Sequence, residues 1–100
     1  MVINSEMFYR MTNWAEDTFP QRTNHSILTH LRRELDEIEA KPNDIEEWAD
    51  AILLFMHGLR EQGFDIHNLS TALEKKFAIN QKRKWGKPDE HGVVEHKEDG

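Results

Sequence analysis

The stretch "DIEEWADAILLFMHGLREQG", from Asp44 to Gly63, limits the possible fold more than any other part of the chain. Asp44 suits a helix N-cap, Glu46 and Glu47 suit the first turn, and Gly63 suits the residue just past the end. Between them Trp48, Ala49, Ala51, Ile52, Leu53, Phe55, Met56 and Leu59 cover most of a helical circumference. A helix apolar nearly all round is expected to be buried. Two acids interrupt it. Glu47 and Asp50 fall within about 60° of each other on the wheel, with His57 on the same strip. An ionised carboxylate on an interior surface needs a partner, because its desolvation costs several kcal/mol.

Pro20, Pro42, Gly58, Gly63, Gly86 and Pro88 punctuate the rest. The segments between them have helical periodicity, and none alternates like a strand. Helices are expected over about Asn4–Phe19 with Ser5 as cap, about His25–Ala40 with Asn24 as cap, Asp44 to near Gly63, and about Asp65–Lys84. The expected architecture is all-α: a four-helix domain over 1–84 followed by an extended polar tail over 85–100. At 100 residues one domain is the default, and a chain this short often gains stability by oligomerising. The formal net charge of −6 disfavours a nucleic-acid polymer as partner. Cysteine is absent, which excludes disulfide and thiolate chemistry. The longest apolar run, Ala51 to Met56, is too short to span a bilayer. A soluble, cytoplasmic protein without a membrane partner is expected.

A second acidic pair, Glu34-x-x-Glu37, has the same shape as Glu47-x-x-Asp50. His30, Glu34 and Glu37 fall within about 60° of one another, beside the stripe of Ile27, Leu28, Leu31, Leu35 and Ile38. A single E-x-x-E is ordinarily a solvated pair. Two pairs on consecutive helices, one in a mostly apolar helix, point to a divalent metal, since hard cations such as Mg²⁺ take carboxylate oxygens. On the fourth segment Lys76, Asn80 and Arg83 form one stripe at i, i+4, i+7, able to hold phosphate or sugar. A di-iron carboxylate bundle would need E-x-x-H on two helices, and neither helical acidic pair has its histidine at that spacing.

These residues resemble the MazG-like all-α nucleoside triphosphate pyrophosphohydrolases. That family carries E-E-x-x-E, a variable gap, then E-x-x-D. Here "RELDE" supplies Glu34 and Glu37 with Arg33 in place of the first acid, and "EWAD" supplies Glu47 and Asp50. "KFAINQKRKW" is similar to the family's K-x-x-x-N-x-x-R-x-W run through Lys76, Asn80, Arg83 and Trp85. With "NWAEDTFP", "HSILTHLRRE" and "NQKRKWGKPDEHGVVEH", the likeness runs from about Asn13 to His96 and is greatest to the small dATP/dGTP pyrophosphohydrolase branch of phages and bacteria. Phage members of that branch include MazZ-type enzymes acting on dGTP or GTP.

The resemblance implies a MazG-like bundle assembling as a homodimer or homotetramer in a bacterial or phage-infected cytoplasm. It implies Mg²⁺ or Mn²⁺ held by Glu34, Glu37, Glu47 and Asp50, and hydrolysis of a purine (d)NTP, dGTP/GTP or dATP, to the monophosphate and pyrophosphate. Glu37 is the expected base, and Lys76, Asn80 and Arg83 the expected phosphate and sugar contacts. Trp14, beside a family-like segment, is the expected platform for the base, ahead of Phe19, Trp48 and Trp85. Trp48 is expected to pack in the core. His30 is set among the expected substrate contacts. From their places on the helical wheel His30 and His57 are also candidates to support the acids, although a histidine on a half-apolar face is more often packed and hydrogen-bonded. Arg33 raises three alternatives: fewer bound metals, a replacement ligand such as Asp36 or Glu46, or a non-catalytic dimer of the same fold that binds nucleotide or a protein.

Overall fold

The computed structural model describes residues 3–97. The first two residues of the expected helical domain and the last three of the expected tail lie outside the described residues. Four helices follow one another: α1, Ser5–Thr18; α2, Asn24–Ala40; α3, Ile45–Glu61; and α4, Ile66–Lys82. Among the described residues there is no strand, in agreement with the all-α expectation.

Local chemistry sets the boundaries. The cap of α1 is Asn4 rather than Ser5, its side chain accepting from the Met7 N–H at 2.9 Å. The cap of α2 is Thr23 rather than Asn24, because Thr23 and Ser26 satisfy each other's backbone N–H groups in a capping box. Asp44 caps α3 as expected, accepting from Glu46 at 3.0 Å. Past the end of α3, Gly63 takes φ +83°, a left-handed conformation that favours glycine.

The chain forms two compact units, one through Asn68 and one from Leu69 onward. In the first unit α3 packs against α2 and α1. Ile27, Leu31, Ile38, Ala51 and Leu54 form the core between α2 and α3, and Phe8, Thr12 and Ala15 are the buried residues of α1. The connection from Lys41 to Asp44 is tight: the Lys41 N–H donates to Glu37 and Ile38 carbonyls, and the Asp44 N–H to the Lys41 carbonyl.

The expectation that α3 is buried all round does not hold within one chain. Its buried side is Ala51, Leu54, Met56 and His57, the face that α1 and α2 cover. Ile52 and Leu53 are exposed, and Trp48 and Phe55 are 48% and 51% exposed. Trp48 is therefore not a core residue. Its Nε1–H donates to the Pro42 carbonyl at 3.0 Å, tying the indole to the α2–α3 turn.

In the second unit Leu73 and Phe77 of α4 are exposed. The following chain is not simply extended but doubles back, with Trp85 bridging His96 in antiparallel fashion. The Gly86 N–H donates to the Glu95 carbonyl at 2.9 Å. The Asp89 carboxylate accepts from the His91 and Val93 N–H groups, and Gly92 turns the chain at φ +77°.

Candidate active site

Glu34 lies on α2, and Glu47 and Asp50 lie on successive turns of α3. The short connection folds the two helices side by side and brings the three acids together. Each offers a carboxylate oxygen within 4.8 Å of the other two. Glu34 and Glu47 are half-buried, and Asp50 is exposed. The Glu47 carboxyl is pushed above its ordinary value, first by lost hydration, then by the charges of Glu37, Asp44 and Asp50, with Lys41 opposing. Such a group of like charges favours either a proton or a cation. Three carboxylate oxygens at this separation suit a hard divalent ion, so the residues present fit Mg²⁺ or Mn²⁺.

The fourth expected ligand, Glu37, lies one turn beyond Glu34, is exposed, and stands outside the three-acid group, though Glu47 feels its charge. Asp36 and Glu46 are likewise outside it. Arg33 is exposed and leaves the three acids intact. The His30 Nε2 lies 3.2 Å from Glu34 Oε1.

Beside the acids opens a cleft of about 530 Å³. Glu34, Asp50, His30 and Arg22 supply its polar wall; Trp14, Phe19, Leu53 and Leu54 supply its apolar wall. Trp14 is 62% exposed and meets Phe19 edge to face at 5.5 Å. The Arg22 guanidinium stacks over the other ring of this pair, 3.8 Å from the Phe19 centroid. An aromatic wall facing carboxylates can hold a flat base at one end and a metal-bound phosphate at the other. Trp14 and His30 are thus brought to the acid group. Trp48 is not among the cleft residues.

His57 is not. It is 1% exposed, and its nitrogens face a different set of groups. Arg22 Nη1 lies 3.2 Å from Nδ1, while Nε2 lies 3.3 Å from Glu61 and 3.6 Å from Glu16. Arginine only donates, so Nδ1 accepts and the proton sits on Nε2, aimed at the two carboxylates. The Glu16 carboxyl is raised by its hydrogen bond to Glu61, then by lost hydration and the Glu61 charge, with His57 and Arg60 pulling it back. Sequence reasoning missed this group. The i, i+4 spacing of His57 and Glu61 was its one visible signal; Arg22 and Glu16 arrive from elsewhere in the chain.

The remaining expected contacts lie in the second unit. Lys76 is exposed, Asn80 is half-buried, and its carbonyl accepts from Trp85 Nε1 at 3.0 Å. Arg83 is the first residue past α4.

Comparison with known proteins bears on this geometry. The model of a family described as dATP/dGTP pyrophosphohydrolase matches residues 7–99. A dATP/dGTP diphosphohydrolase of Salmonella phage PMBT28 is 35% identical over 91 residues, which are 90% of this chain and 30% of that protein. The chain thus spans about a third of that relative's length. Among solved structures, the MazG-like pyrophosphohydrolase of cyanophage S-2L, bound to dGDP and three catalytic Mn²⁺ ions per active site, aligns with a TM-score of 0.80. That alignment covers 98% of this chain and 100% of the other at 24% identity, a likeness of fold. Among the described residues, no helix is long and apolar enough to cross a membrane.

Proposed function

Because the chain belongs to the dATP/dGTP pyrophosphohydrolase family, we propose that it hydrolyses a purine (deoxy)nucleoside triphosphate, dGTP, GTP or dATP, to the monophosphate and pyrophosphate. The observation that carries this reading is the meeting of Glu34, Glu47 and Asp50 at the edge of a cleft walled by Trp14 and Phe19. The phage diphosphohydrolase and the nucleotide-bound cyanophage pyrophosphohydrolase that this chain is similar to support it.

In this reading Glu34, Glu47 and Asp50 hold Mg²⁺ or Mn²⁺, which when bound neutralises phosphate oxygens and acidifies a water. His30 holds the Glu34 carboxylate in place. Glu37, outside the three-acid group but close enough to act on Glu47, takes the proton from the attacking water. The water oxygen bonds to the α-phosphorus, and the bond to the bridging oxygen breaks to release pyrophosphate. Trp14 and Phe19 hold the base against the apolar wall. For Lys76, Asn80 and Arg83, a role in binding phosphate or sugar is supported by their common stripe and the family run they match.

Assembly belongs to the same proposal. Trp48, Ile52 and Phe55 leave an apolar face on α3 that a homodimer or homotetramer would cover. Light scattering should then give a mass above that of one chain.

The direct test is a screen of common NTPs and dNTPs with Mg²⁺ and Mn²⁺, with products identified as monophosphate and pyrophosphate. Products from a purine substrate support the reading. Monophosphate from none of them, or activity surviving both Glu47→Gln and Asp50→Asn, refutes it. Arg33, which in the sequence favoured a non-catalytic binder, does not disturb the three acids.

A further inference from the structure

A smaller recess of about 400 Å³ shares Arg22 and His30 with the main cleft and is otherwise lined by His25, Ser26, Thr29 and Arg33. Four of its six residues are basic, on a chain whose formal net charge is −6. Acids are plentiful, yet among the described residues neither Arg22 nor Arg33 has a carboxylate within 4.0 Å; every ion pair there involves a histidine. The first turn of α2 runs alongside and contains no acid, although a helix N-terminus favours one. Charge of the opposite sign is missing from the protein at this place.

Arg22 is also held in advance. It is half-buried, stacks on Phe19 at 3.8 Å, and donates to the buried His57 at 3.2 Å. One contact uses the face of the guanidinium and the other a single N–H, which leaves further donors of its five. The group of buried His57 with Glu16 and Glu61 thereby gains a purpose: it anchors a cation at the border of cleft and recess.

We propose that this recess is a subsite for the β- and γ-phosphates of the substrate and for the pyrophosphate that leaves, with Arg22 and Arg33 as its charged donors. The inference rests on the hydrolysis reading above and extends it. His30 marks the border, contacting Glu34 on one side and lining the recess on the other. A triphosphate whose α-phosphate lies at the acids can therefore run past His30 into the basic recess. Negative charge grows on the leaving pyrophosphate as its bond breaks, and guanidinium groups fixed beforehand stabilise that charge. Arg33, in the place of the first acid of the family motif, supplies positive charge there directly.

The test is a ³¹P NMR titration of inorganic pyrophosphate into the whole chain with EDTA present, which closes any route through metal. Saturable binding to the wild type is expected, weakened about tenfold by Arg33→Gln and by Arg22→Gln, and lost in the double variant. Mn²⁺ binding followed by electron paramagnetic resonance should persist in Arg33→Gln, showing that the fold and the acids are intact. If Arg22→Gln does not fold, Arg22→Lys replaces it; lysine keeps the charge but not the planar fork, and weaker binding is still expected. In turnover, Arg33→Gln should raise KM and relieve product inhibition by pyrophosphate. No saturable binding by the wild type overturns the subsite. So does wild-type affinity in the arginine variants, or a loss that follows Lys76→Gln and Arg83→Gln instead. Failure to turn over any NTP would sink the hydrolysis reading alone, because the titration needs no turnover.

Discussion

Helix α3 gives two side chains to each of two three-residue groups, one completed by Glu34 of α2 and the other by Glu16 of α1; each has ligand atoms within 4.8 Å, and only one of them suits a cation. Glu34, Glu47 and Asp50 are all carboxyls at least partly open to water, and the Glu47 carboxyl is held above its ordinary value by lost hydration and by neighbouring charges that include Asp50. Glu16, His57 and Glu61 look equally suited to metal by distance. There, however, the imidazole proton on Nε2 already faces both carboxylates, and Arg22 occupies the opposite nitrogen. A metal at Nε2 would need that proton moved to Nδ1, where Arg22 offers only N–H. Spacing alone does not separate a metal centre from an internally neutralised polar core; the partners behind the ligands do.

The largest effect expected from this contrast is on catalysis. Glu47→Gln or Asp50→Asn should lower pyrophosphate release more than about a hundredfold, whereas Glu61→Gln should cost far less. Comparable losses at both groups would erase the distinction.

Stability should show the reverse order. His57→Phe removes a buried imidazole whose Nδ1 accepts from Arg22 and whose Nε2 lies 3.3 Å from Glu61 without a hydrogen bond of its own, and a loss of about 2–4 kcal/mol is expected in denaturant melts. Asp50→Asn relieves repulsion and should leave stability unchanged or slightly higher without metal.

A smaller effect concerns metal and pH. The folded value of Glu47 lies above its unfolded value. Its ionisation therefore works against the metal-free fold: the penalty is absent below the ordinary carboxylate range, grows as pH rises through it, and is complete above the folded value. A bound cation reverses that penalty. Mn²⁺ should raise Tm by several degrees at about pH 7.5 and by much less at about pH 4.5. An equal rise at both would mean that the ion binds elsewhere. His57→Phe should leave the Mn²⁺ effect in place.

The smallest effect sharpens the second group. Glu16 is also raised in the fold, so its ionisation weakens stability in the same direction. Glu16→Gln should raise the melting midpoint slightly near pH 7 and not at all near pH 4, since half-exposed carboxyls are screened by solvent.

Much of this was legible before the structure. Helical periodicity and Pro and Gly punctuation placed all four helices, and E-x-x-E with E-x-x-D picked out Glu34, Glu47 and Asp50 but also Glu37, which stands outside their group, because spacing within a helix is local and the meeting of two helices is not. Caps shifted by one residue at Asn4 and Thr23, where neighbouring polar residues compete for the same N–H groups. The group around His57 was hidden because Glu16, Arg22 and Glu61 converge from α1, the following loop and α3, a meeting that only tertiary packing creates. The apolar circumference of α3 led to an overestimate of its burial, since periodicity shows which faces want cover but not whether the same chain provides it.

The tight connection from Lys41 to Asp44 also has a kinetic consequence. The three acids sit on neighbouring helices of one hairpin, so the site has low contact order. Such local contacts form early, before distant parts of a chain need find each other. The acid cage is thus expected to assemble as soon as α2 and α3 dock. Divalent metal added during refolding would then speed the docking step itself, and stopped-flow traces with and without Mn²⁺ would reveal it as a change in the folding limb rather than the unfolding limb.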